Sequence, residues 1–172
     1  MMNGYKNFAD DVSLAFEEYL KQGKLSVRHV GWFKGEFCHA VILEGLGQYI
    51  EFHVDAGCLV AFIIDKSTLE FIELDELVTF MNPGLDLKKE KSRYFYHNYY
   101  EDARNTGKDT AEQAAISVKH LCLGELNAYS RIIGKYLGET VFTDSHEWPG
   151  KVKQAGKILH VSKAEWIAVP KQ

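Results

Sequence analysis

Residues 37–74 hold four short apolar runs joined by connections too short for a crossover, and this limits the fold more than any other feature. Gly45-Leu46-Gly47, Ala56-Gly57 and Asp65-Lys66-Ser67 separate the runs. Runs of this length, rich in Val, Ile, Phe and Leu and bounded by Gly or Asp/Ser, predict β-strands in successive hairpins. A parallel return needs a dozen or more residues, so these strands must be antiparallel neighbours. Residues 48–54 alternate, with Ile50, Phe52 and Val54 on one face and Tyr49, Glu51, His53 and Asp55 toward the other. This predicts a half-buried strand with one wet face. Residues 58–64 (CLVAFII) carry no polar side chain on either face, so this strand should be central and covered on both sides. Residues 68–74 alternate again, residues 75–80 suit a short helical turn, and Asn82-Pro83-Gly84 ends the unit.

Helical periodicity flanks the meander. Phe8, Val12, Ala15, Phe16, Tyr19 and Leu20 recur at steps of three and four, which predicts an amphipathic helix over 7–22. Asn7 suits its N-cap and Gly23 its C′ position. Residues 25–33 read as a first strand with a bulge at Gly31. The longest helical period runs from Asp109, which starts a capping box with Glu112, to Leu137, with Gly124 as a point of bending and Gly138 as the stop. Charged residues 85–92 are expected at the surface. Beyond residue 139, the spacing suggests a strand over 140–143, a loop around 144–150 and extended pieces at 157–161 and 166–169. The expected fold class is α+β: an antiparallel sheet of five or more strands, packed against one long helix (109–137) and a shorter N-terminal helix. At 172 residues one domain over 1–172 is the simplest organisation.

Composition narrows the class. The chain is 46% hydrophobic and 26% charged, as ordinary globular proteins are. No apolar run approaches the ~20 residues of a membrane helix, and the N-terminus lacks a basic-then-apolar leader. Three cysteines without paired spacing suit free thiols in a reducing compartment, so cytoplasmic residence is expected. Residues 36–80 hold nine carboxylates against one lysine, a net of −8, whereas residues 150–172 hold five lysines against one glutamate. An acidic sheet disfavours nucleic acid, whose phosphates need Lys and Arg. The basic tail is expected to be a solvated surface.

Candidate chemistry is sparse. Glu51, His53 and Asp55 point to one strand face, but a metal site needs further ligands and a supporting shell, so no metal or cofactor is expected. Cys38 and His39 face opposite sides of a strand, and His120 and Cys122 diverge on a helix, so neither makes a Cys–His pair. Cys58 and Cys122 sit in apolar runs where inert thiols are common. Gly45-x-Gly47 lacks the third glycine and the helix of a phosphate loop, and suits a hairpin turn. Tyr94, Phe95, Tyr96, Tyr99 and Tyr100 crowd seven residues, enough to pack a core edge or anchor a partner.

The acidic meander is what remains. Carboxylates massed on short strands suit a docking face for a basic protein, where complementary charge speeds encounter and rejects wrong partners. In size, cysteine usage, absence of catalytic motifs and this acidic window, the chain resembles the immunity proteins of bacterial toxin–immunity pairs. That resemblance implies a non-enzymatic binder that covers the active site of a cognate toxin domain, often a basic nuclease, with no membrane or nucleic-acid role of its own. The docking residues expected on this reading are Glu51, His53, Asp55, Glu70, Glu73, Asp75 and Glu76, with Tyr94 and Tyr96 as anchors. The alternative is a small enzyme or ligand-binding domain, with its pocket between the sheet and the 94–100 aromatic cluster, in which His53, Asp55 or a cysteine acts. A subunit of a larger assembly is a third reading.

Overall fold

A computed structural model describes residues 8–32, 39–55, 58–91 and 122–162. Strands β1 (Ser26–Trp32), β2 (His39–Glu44), β3 (Gln48–Asp55), β4 (Cys58–Asp65) and β5 (Glu70–Glu73) pair in sequence order. A two-residue β6 (His160–Val161) completes a six-stranded sheet on the far side of β5. All five pairings are antiparallel, so the fold is α+β as the short connections require. The β3–β4 ladder runs unbroken over eight pairs, from Gln48↔Asp65 to Asp55↔Cys58. In β1 the register slips between Val27 and His29, three residues before the glycine expected to carry the bulge.

The helices are α1 (Phe8–Ala15), α2 (Glu17–Lys21), α3 (Leu74–Met81), α4 (Leu87–Lys91), α5 (Leu123–Tyr136), α6 (Gly138–Val141) and α7 (Trp148–Gln154). The N-terminal segment is a kinked pair rather than one helix. Phe16 leaves helical geometry at φ −108° and ψ 12°, yet the bonds from its N–H to Val12 O and from Leu20 N–H to Phe16 O carry the chain through. Gly23 adopts φ 69° after α2, the left-handed stop that its lack of a Cβ allows.

The main core fills the space between one sheet face and the helices. Phe8, Val12 and Phe16 meet Val41, Leu43, Ile50, Phe52, Ile63 and Ile72 from the sheet, and Leu77, Leu126, Ile132, Ile133 and Trp148 from the later helices. Phe52 is central, its ring 5.2 Å from Phe16 and 5.8 Å from Tyr129 between centroids. The helical period of the 109–137 segment is realised in α5, with Leu126, Tyr129, Ile132 and Ile133 buried. Cys122 is the N-cap of α5 and Gly124 lies in its first turn without interrupting it; residues 109–121 lie outside the described residues.

Four expectations are corrected. Residues 140–143 are not a strand: Gly138–Val141 is helical, with Thr140 and Val141 buried, because packing overrides the β-branched pattern of a short segment. The expected loop after 144 gives way at Trp148 to α7, whose first turn holds Pro149, a residue already shaped for that position. The charged 85–92 stretch is not a bare surface, since Lys91 is 2% exposed. The basic tail is not wholly solvated, because Val152 is buried, although Lys151 and Lys153 are exposed as expected.

Gly45-x-Gly47 is the turn between β2 and β3, closed by the Gly45 N–H donating to Gln48 O at 2.8 Å. Its glycines are needed for close approach. A Cβ on Gly45 would stand 2.5 Å from the Val141 carbonyl oxygen, and one on Gly47 2.9 Å from that of Thr143.

Candidate functional site

Opposite residues in an antiparallel ladder share a face, so the register decides which acidic residues can act together. Ile42, Glu51, Phe62 and Glu73 form one row across β2 to β5. Glu44, Tyr49, Ile64, Phe71 and His160 form the next row, and His53 lies opposite Val60. These residues occupy the sheet face away from the main core. A small second cluster of Ala40, Ile42, Tyr49 and Ile64, flanked by Leu69 and Phe71, packs there. The wet strand face expected at Tyr49, Glu51 and His53 is therefore corrected: Tyr49 is 6% and Glu51 9% exposed.

Polar groups on this face are paired. His53 Nδ1 lies 2.9 Å from Glu51 Oε1. The His53 ring stands 5.7 Å from Phe62, which meets Phe71 edge-on at 5.2 Å. Lys66 donates to Glu44 at 2.9 Å and lies over the Tyr49 ring at 5.3 Å, while Arg28 approaches Glu44 at 3.7 Å. Glu73 is exposed.

The docking residues read from the sequence do not form one surface. Glu51, His53 and Glu73 share the second face. Glu70 is three residues before Glu73 and so points the other way, where it pairs with Lys153. Asp75 and Glu76 lie in the first turn of α3 and hold Lys91 and Lys157. The side chain of Asp55, and Tyr94 and Tyr96 with the rest of the 94–100 cluster, lie outside the described residues. The missed members are Phe62 and Phe71, whose place beside Glu51 and Glu73 follows only from the register.

Two further polar clusters sit on the helix side. Lys91 Nζ is 3.0 Å from Asp75 Oδ2, 3.0 Å from Glu125 Oε1 and 2.9 Å from the Tyr129 hydroxyl, and lies 4.4 Å from the centroid of that ring. Burial, with Asp75 and Glu125 close by, pushes the Tyr129 hydroxyl well above its usual value. One local signal pointed to a helix here: Asp86 Oδ1 accepts the Lys89 N–H at 3.0 Å, so Asp86 is an N-terminal cap for α4. The second cluster surrounds Asp65, which is fully buried. Burial alone would raise its carboxyl, but hydrogen bonds from Ser67, His146 and Thr68 outweigh that and hold it below the usual carboxylate range. His146 Nδ1 lies 2.7 Å from Asp65 and Nε2 3.1 Å from Asp144. Two acceptor carboxylates call for two ring protons, and the bond to Asp65 leads in raising the His146 pKa. Gln48 bridges beside them, accepting from Trp148 Nε1 at 2.8 Å and donating to Ser145 O at 2.6 Å.

Of the two described cysteines, Cys58 is half-buried at the start of β4. Cys122 is buried, and burial followed by the nearby Asp11 and Glu125 charges pushes its thiol far above the ordinary value, which disfavours the nucleophilic thiolate. Among the described residues no three His, Cys, Asp or Glu side chains are grouped to hold a metal, and no helix is long and apolar enough to cross a membrane. No protein-family model, curated protein or solved structure matches this chain.

Proposed function

We propose that this chain is a non-enzymatic binding protein that neutralises a basic protein partner, in the manner of an immunity protein with its cognate toxin domain. The observation that carries this reading is the row Glu51–Phe62–Glu73, with Phe71 edge-on to Phe62. The exposed Glu73 carboxylate beside the Phe62 and Phe71 rings on a rigid sheet suits a partner's lysine or arginine: the ring face attracts the cation and the carboxylate fixes it, while Glu51 holds His53 behind them. The structural roles of Lys91, Cys122 and His146 support binding over catalysis, since each is already engaged within the fold.

The test is capture on immobilised protein from an extract of the organism that makes it. One stoichiometric basic protein is expected, released by salt and lost from the Glu73→Lys variant and from Phe62→Ala. Equal retention by both variants, or the absence of any stoichiometric partner, would sink the reading.

A further inference from the structure

The acidic window and the basic tail, far apart in sequence, meet at the outer edge of β5. Among the described residues β6 pairs there through Glu70↔Val161 and Phe71↔His160, with one more bond from the Ser162 N–H to Leu69 O at 2.8 Å. Both β6 residues are exposed, and Ile158 and Val161 are 82% and 60% exposed. The segment is also held by Leu159, which packs against the main core, by the His160 ring 5.5 Å from that of Phe71, and by two ion pairs: Lys153 with Glu70, and Lys157 with Glu76 at 2.8 Å. A two-pair ladder is a weak attachment beside the eight-pair β3–β4 ladder, and surface ion pairs add little. Gly156, at φ 79°, caps α7, with its N–H donating to Lys153 O and the Lys157 N–H to Val152 O, and turns the chain toward β6.

We propose that the outer edge of β5, with Glu70 and Glu76, is a docking strand for a lysine-bearing segment of a partner protein, a helix end followed by a short strand, which the chain's own residues 153–162 occupy until displaced. The occupant's chemistry is read from the segment already seated there: two lysines four residues apart, followed by a short strand that adds to the sheet. Main-chain bonds at a sheet edge supply affinity, and the lysines supply selection. The resident segment competes in cis, so the apparent affinity for a partner falls with the fraction of molecules whose edge is open. This surface is distinct from the Glu51–Phe62–Glu73 row and stands whether or not that row binds anything.

The test is an amide-resolved NMR titration of the full chain with a synthetic peptide copying residues 151–162. In Lys153→Glu/Lys157→Glu protein the resident segment is repelled and the edge is freed. The peptide should then bind about tenfold more tightly than to the unaltered protein, the scale of two exposed pairs lost, with shifts centred on Leu69 to Phe71. Glu70→Lys/Glu76→Lys protein should lose that binding and regain it with a peptide carrying glutamate in place of both lysines. Unchanged peptide affinity in the first variant, shifts away from β5, failure of the charge-swapped rescue, or dimerisation of the first variant through exchanged tails would each overturn the proposal. Circular dichroism confirms that the variants fold; should the lysine reversals not fold, Lys153→Gln/Lys157→Gln gives the same comparison at reduced amplitude. Because the probe is the chain's own sequence, failure here leaves the capture experiment on the sheet face unaffected.

Discussion

Asp75 and Glu76 are neighbours in the first turn of α3, and each holds one lysine at almost the same distance, 3.0 Å to Lys91 and 2.8 Å to Lys157. Their surroundings differ. The Lys91 side chain is 2% exposed and is shared with Glu125, itself 2% exposed, whereas Lys157 and Glu76 are 36% and 48% exposed. Distance therefore says little about what either pair contributes. In water two charges at this range attract weakly and ions screen them, while away from water the attraction is several-fold larger but desolvation opposes it. The buried lysine joins α4 to α3 and α5, and removing it strands a charge. The exposed lysine is a removable clasp.

The sharpest break of this comparison is Lys91→Ala, expected to cost about 3–5 kcal/mol because the buried Glu125 carboxylate loses its lysine partner. Denaturant midpoints read it directly, and a loss below about 1 kcal/mol would mean that water reaches the cluster and the two lysines are alike. Lys91→Met/Glu125→Leu sharpens the point: with both charges gone, most of the loss should return. Gln48→Ala comes next, at about 1–3 kcal/mol, since it leaves the buried Trp148 N–H without its acceptor. Lys157→Ala should cost less than about 1 kcal/mol, and 1 M salt should erase even that.

The smallest expected effect is a pH slope from His146. Its pKa is raised above the ordinary 6.5, so its contribution is complete below that pH and is lost as pH rises through the folded value. Asp65 is lowered from the ordinary 3.8, so its contribution is present above that pH and is lost as pH falls through the folded value. Thermal midpoints of His146→Gln across pH 5 to 9 should lack the alkaline decline that the unaltered protein shows. An unchanged alkaline slope would remove His146 as its cause.

Much of the fold was legible in the sequence, because short connections leave antiparallel neighbours no alternative and the glycines at 45 and 47 mark a turn. The α5 periodicity was equally clear. The candidate site was harder to read. Glu70 and Glu73 were grouped by proximity along the chain, yet a spacing of three on a strand sends them to opposite faces; period-two counting alone separates them. Phe62 and Phe71 gave no local sign of sharing a face with Glu51, because that depends on the register of three strands. The same gap hid the second face: alternating polarity at Tyr49, Glu51 and His53 suggests water, but says nothing about what packs above.

The sequence by itself determined the meander, its hairpin order, the helical period of α5 and the segregation of acid from base. Those follow from interactions a few residues in range: turn chemistry, side-chain periodicity and the length of a connection. Only the tertiary structure decided what the charges do. It set Lys91 inside, laid the basic tail along β5 and divided the acidic window between a sheet face, an edge and a buried cluster. The worth of a charge depends on its exposure and on partners distant in the chain, and neither is written in its neighbours.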